Sequence, residues 1–127
     1  MSGDTYKFTK DHEWVRVEGD EAYIGITKHA AEQLGDVVFI EFPEIDAVYD
    51  SGDVFCVVES VKAAVDCYIP ISGTVVETNT ELESANEIMN EDPEGQGWIV
   101  KIKIADPSEV DGLMSAKEYA EYLQTIE

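Results

Sequence analysis

Positive charge is what this chain most lacks: 8 lysines and arginines stand against 28 acidic residues, a formal net charge of -20 over 127 residues. A surface of that sign repels phosphate backbones and anionic lipid, which sets nucleic acid and membrane aside as partners. Solvation accounts for most of the charge, and partners with basic docking faces fit the rest. Long apolar runs are missing as well, and none approaches the roughly 20 residues needed to span a bilayer. Only 2 cysteines and 2 histidines occur, and their spacing makes no metal-ligand cluster, so no metal is expected. The opening residues hold neither an apolar signal core nor an arginine-rich amphipathic stretch, which makes the cytoplasm of a prokaryote the simplest address. In that compartment thiols stay reduced. Cys56 and Cys67 flank Lys62 almost symmetrically. If a hairpin turns at Val61 and Lys62, they face each other across its strands, where packed thiols are favoured over a regulatory disulfide.

What is present reads as one mainly β domain over residues 1–127, large enough to bury a core without disulfides or metal. Runs rich in Val, Ile, Phe and Tyr at residues 14–17, 21–26, 37–42, 54–60, 64–68, 73–78 and 98–104 predict strands. So many short strands at close spacing imply a sandwich or flattened barrel. Glu18-Gly19-Asp20 suits a hairpin connection. Helices are expected at the edges. Thr27 caps a short one through Leu34, stopped by Gly35. Asp106-Pro107-Ser108-Glu109 opens another, and Ser115-Ala116-Lys117-Glu118 makes a capping box before a C-terminal helix. Tyr119, Tyr122, Leu123 and Ile126 follow a buried helical stripe. Trp14 and Trp98 are assigned to the core, and His12 and His29 to packing or capping. A faint echo, Gly35-Asp36-Val37-Val38 and Gly73-Thr74-Val75-Val76, would suit two similar halves.

Chemistry concentrates between Val57 and Asp66. Lys62 is the only basic residue between Lys28 and Lys101 and sits in a β-rich run, where a charged side chain must lie at a turn or on a solvent face. A solvated lysine with no role is the ordinary reading of such a residue. The surroundings change that. Glu59-Ser60-Val61-Lys62-Ala63, then Asp66, Pro70, Gly73 and Asn79, resemble the glycine cleavage H-protein family. The likeness extends through His12-Glu13-Trp14-Val15, Gly25-Ile26-Thr27, Gly35-Asp36-Val37-Val38-Phe39, Asn90-Glu91-Asp92-Pro93, Gly97-Trp98 and Asp111-Gly112-Leu113-Met114, in order along nearly the whole chain.

That resemblance implies a lipoyl-domain-like fold and lipoate in amide linkage on Lys62, attached by a lipoate ligase or a lipoyl/octanoyl transferase. It implies recognition of the turn through Glu59, Ser60, Val61, Ala63 and Asp66, with solvation or turn compatibility as ordinary roles for the same residues. It also implies a monomeric, non-enzymatic shuttle. The shuttle takes an aminomethyl group from glycine decarboxylase, the P-protein, to the T-protein, then presents dihydrolipoate to dihydrolipoyl dehydrogenase, the L-protein. Members of the family fold the loaded arm against a cleft, to which Glu13 and the α-helical position of Gln33 correspond here. Gln33 stands where certain members have histidine and Asp11 where some have serine, so the cleft departs from the family more than the turn does.

Rival readings have less support. Biotin carriers usually place methionine beside the lysine, whereas Lys62 lies between Val61 and Ala63. An H-like lipoyl donor or sulfur-metabolism carrier shares the same motif. A Ser60–Lys62 nucleophile or a carboxylate pair would make an enzyme, but no phosphate loop or nucleophile elbow accompanies them. An interaction module with unmodified Lys62 is the remaining alternative.

Overall fold

A computed structural model describes residues 6–126. Residues 1–5 and 127 lie outside it, and with them the stretch from which a cytoplasmic address was argued. Among the described residues nine strands form: β1 (Tyr6–Phe8), β2 (Glu13–Glu18), β3 (Glu21–Ile26), β4 (Val37–Glu41), β5 (Val48–Tyr49), β6 (Val54–Ser60), β7 (Ala64–Tyr68), β8 (Gly73–Thr78) and β9 (Val100–Ile104). They assemble as two antiparallel sheets, one in the order β1-β2-β3-β9-β8-β5 and the other β4-β6-β7. Neither sheet closes on itself, so the mainly β expectation resolves to two open sheets rather than a barrel.

The sheets bury one another's inward positions. Val15, Ile24, Val75 and Ile102 of the larger sheet share a core with Ile40, Cys56, Val58 and Cys67 of the smaller. Burial alternates along β6 from Cys56 to Val58, although Phe55, beside a register shift, is buried too, and the β6–β7 register sets Cys56 opposite Cys67. A six-and-three division leaves no two equal halves. The echoed glycines serve different ends: Gly35 has φ +77, while a Cβ on Gly73 would meet the Lys103 carbonyl oxygen at 2.5 Å.

Local capping chemistry is realised where the sequence places it. Helix α1 (Lys28–Leu34) begins with the Thr27 hydroxyl accepting from the Ala30 N–H and ends with the Gly35 N–H donating to the Ala31 carbonyl. Asp106 caps the segment after it through Ser108, but that segment is a 3-10 helix, Pro107–Gly112. Two four-residue helices, α2 (Glu81–Ser84) and α3 (Ile88–Glu91), have no sequence periodicity to betray them, and each is pinned by one buried side chain, Leu82 or Met89. Before α4 (Ala116–Ile126), Ser115 and Glu118 exchange the two bonds of a capping box, at 2.8 and 3.2 Å.

Helix α4 packs on β1 in a second, aromatic cluster of Phe8, Trp14 and Tyr119, with Tyr122 and Leu123 half-buried beside it. Ile126 is 46% exposed, so the buried stripe is shorter than its spacing suggests. Trp14 is fully buried and its indole N–H donates to the Pro93 carbonyl at 2.9 Å. Trp98 precedes β9 and is half-buried, edge-on to Tyr23 at 5.0 Å between ring centroids, rather than in the core. No helix among the described residues is long and apolar enough to cross a membrane.

Candidate functional site

The β6–β7 connection runs through Val61 and Lys62, and residues 61–66 are all exposed. It closes without glycine. The Ser60 N–H donates to the Ala63 carbonyl at 2.8 Å. In place of a returning backbone bond, the Ser60 hydroxyl accepts from the N–H groups of Lys62 at 3.1 Å and Ala63 at 3.2 Å. The same hydroxyl donates to the Ala63 carbonyl at 3.2 Å, so one donor and two acceptor sites are all used. Ser, favoured in turns for this side-chain-to-backbone bonding, thereby holds the tip.

The tip is also tied to its neighbours. The Val61 N–H donates to the Asp36 carbonyl at 3.0 Å. Asn90 of α3 clamps the segment beside it: its amide donates to the Gly35 carbonyl at 2.7 Å and accepts from the Val37 N–H at 3.0 Å. The Lys62 stem lies back over Gly35, where an added Cβ would meet its Cε at 3.3 Å. Gly35 therefore both ends α1 and leaves room for the lysine.

Beneath the tip opens a cavity of about 400 Å³. Lys62, Ser60, Ala63, Val65, Asp66 and Cys67 border it on the hairpin side, with Ile26, Ala30, Gln33 and Leu34 opposite. Asp11, His12, Glu13 and His29 complete it. The fold thus gathers Lys62, Ser60, Ala63 and Asp66 with Glu13 and Gln33 around one space. Glu59 and Val61 are not among its walls: Glu59 pairs with Phe39 in the β4–β6 register, and Val61 is 66% exposed at the turn.

Glu13 is the unusual charge. It is 3% exposed, and burial pushes its carboxyl up to about 7. The Tyr68 N–H and the Thr9 hydroxyl, donating at 3.1 and 3.0 Å, oppose that rise, while Asp11 adds to it. At neutral pH the group is therefore poised between its two forms. His12 lies tilted against His29, with 4.5 Å between ring centroids. Burial and then His29 push His12 below its ordinary value, against a smaller opposing pull from Asp11. Its Nδ1 shares a 2.8 Å hydrogen bond with the Tyr119 hydroxyl, which also bonds the Thr27 hydroxyl at 2.8 Å. Burial raises that phenol to about 12, so it stays neutral and links α4 to the cavity's rim.

Sequence reasoning placed Glu13 and Gln33 by resemblance but missed Asn90, Cys67 and Tyr119 as parts of this site. An Asn ahead of Asp92-Pro93 and a Tyr on a capped helix are the only local signals, and neither points to a partner so distant along the chain. Among the described residues no His, Cys and carboxylate group is arranged to hold a metal.

Residues 6–126 match the family model described as glycine cleavage H-protein. A glycine cleavage system H protein of Phenylobacterium zucineum is 58% identical over 113 residues, covering 89% of this chain and 93% of that one. Its counterpart in Alkaliphilus oremlandii is 56% identical over 117 residues, 92% and 91% of the two chains. Among solved structures, a glycine cleavage system H protein of Mycobacterium marinum superposes with a TM-score of 0.86 at 34% identity, covering 95% of this chain and 98% of its own. With family match, identity and architecture agreeing over nearly the full length, the chain belongs to the glycine cleavage H-protein family.

Proposed function

We propose that the chain is a single-domain lipoyl carrier of glycine cleavage, working in the cytoplasm as a monomer, with lipoate in amide linkage on Lys62. The observation that carries this reading is a primary amine on an exposed, hydrogen-bonded turn, directly above a cavity walled by Ile26, Ala30, Leu34 and Val65. Those walls fit an aliphatic arm, and Glu13 supplies a carboxylate to the same cavity. Held on Lys62, lipoate would supply the redox-active sulfurs needed to carry a one-carbon amine among the P-, T- and L-proteins.

The residues of the chain then have defined tasks. Ser60 fixes the turn so that the ligase or transferase meets the amine in one place. Glu59, Val61, Ala63 and Asp66 present the tip's edges to that enzyme, the two acids as charge and the small or apolar residues as accessible surface. Tethering to a rigid tip raises the local concentration of the carried group at each docked partner. Glu13 hydrogen-bonds a cationic amine brought into the cavity, and such a cation favours its carboxylate form. Gln33 lines the same wall. None of these residues has to break a bond, so the chain acts as a shuttle rather than an enzyme.

Lys62→Arg tests the reading. The variant keeps the charge and the fold, and it is expected to give no glycine decarboxylation or exchange with the P-protein. Full activity of that variant would refute the assignment.

A further inference from the structure

Cys56 and Cys67 have no task in the carrier role, yet they are the chain's only cysteines and the fold sets them side by side. They are direct partners in the β6–β7 register, and both are buried on the inward face. Opposed residues of an antiparallel pair have Cα atoms about 4.5–5.5 Å apart, within the about 4.4–6.8 Å that a disulfide spans. The register thus sets the two backbones within the range a disulfide can span. Burial, and then the neighbouring Cys67, hold the Cys56 thiol well above its ordinary value. Access separates the two: Cys67 forms part of the cavity wall under Lys62, and Cys56 does not. A small solute entering the cavity meets Cys67 first.

We propose that Cys56 and Cys67 are an oxidisable dithiol, entered from the cavity at Cys67 and closing to a cross-strand disulfide at the root of the lysine hairpin. With hydrogen peroxide as oxidant, the Cys67 thiolate attacks one oxygen and the O–O bond breaks. Cys67 becomes a sulfenic acid, and the departing hydroxide takes a proton to leave as water. The Cys56 sulfur then attacks the Cys67 sulfur, the S–O bond breaks, and the hydroxyl leaves as a second water with the Cys56 thiol proton. Two thiols have lost two electrons and two protons, and one peroxide has become two waters. The link encloses Lys62 in a covalent loop and removes a thiol from the cavity wall. This inference does not depend on lipoylation.

The test uses the full chain carrying Lys62→Arg, so that no other sulfur chemistry intrudes. Native protein is treated with peroxide, denatured, alkylated and weighed. The expected product has lost two hydrogens, takes up no alkyl group until dithiothreitol is added, and after tryptic cleavage at position 62 yields two peptides joined through Cys56 and Cys67. In Cys56→Ser, oxidation stops at a Cys67 sulfenic acid that dimedone traps. In Cys67→Ser, Cys56 stays reduced while the chain is folded. Two alkylated thiols after treatment, oxygen added without a link, or disulfide-joined dimers would each overturn the proposal. Oxidation of Cys56 in Cys67→Ser at the parent's rate would overturn entry through the cavity.

Discussion

Two hairpin tips of this molecule close in opposite ways. The β2–β3 tip relies on backbone freedom: Gly19 has φ +65, and nothing lies within 4 Å of where its Cβ would be. It is the first residue of a two-residue connection, the place where type II′ turns take glycine. The β6–β7 tip has no glycine, and among the described residues only His12 and Asp46 combine a side chain with positive φ. Its order comes from the Ser60 hydroxyl and from the carbonyl of Asp36 on a neighbouring segment. A glycine turn ends a hairpin and asks nothing of what sits on it. A serine turn anchored to the α1–β4 connection fixes one residue, Lys62, over a cavity.

The largest expected effect comes from exchanging the tips. Lys62→Arg combined with Asp20→Lys moves the primary amine to the other hairpin; no acyl adduct should form on the chain and P-protein-dependent decarboxylation should vanish. Peptide mapping checks both positions, and an adduct at position 20 would show that any hairpin-tip lysine serves.

Next in size is the charge behind the second tip. Glu13 titrates at about 7 in the fold against an ordinary 4.5, so between those values the native state holds a proton that the unfolded chain has released. Stability is full below 4.5 and falls as pH rises through about 7, by at most about 3 kcal/mol at about 1.36 kcal/mol per unit. Denaturant midpoints measured from pH 4 to 8 should show this slope in the parent and a flatter one in Glu13→Gln. Equal slopes would mean that Glu13 does not feel its burial.

The smallest effects bear on the turns themselves. Gly19→Ala forces a Cβ into left-handed backbone at a cost of about 1–2 kcal/mol, and Ser60→Ala removes exposed hydrogen bonds with a net effect of about 1 kcal/mol. Thermal midpoints should fall comparably in both. Only Ser60→Ala should slow acylation of Lys62 by the purified ligase, and equal acylation rates would erase the distinction between the tips.

The same contrast explains what could be read from the chain without its structure. Caps are local, and Thr27, Gly35, Ser115 and Glu118 answer to residues a few positions away; the Lys62 turn is local through Ser60 but is also tied from outside by Asp36. The partition of strands into sheets of six and three is not local, and β1 and β5, at three and two residues, are too short to alternate. The cavity depends on contacts of the same non-local kind. Glu13 meets the Tyr68 N–H and Asn90 meets Gly35, each across 55 positions, and Tyr119 reaches His12 across 107. Resemblance supplied Glu13 as a residue of interest, but its burial and raised carboxyl follow from packing that no window of sequence contains.

Intact-mass measurement of the chain from a lipoate-competent host, with peptide mapping, tests the carrier role most directly. One lipoyl group on Lys62 and none elsewhere is the expected result. A chain that supports glycine decarboxylation while carrying no lipoyl group, or carrying it on another lysine, would contradict that role.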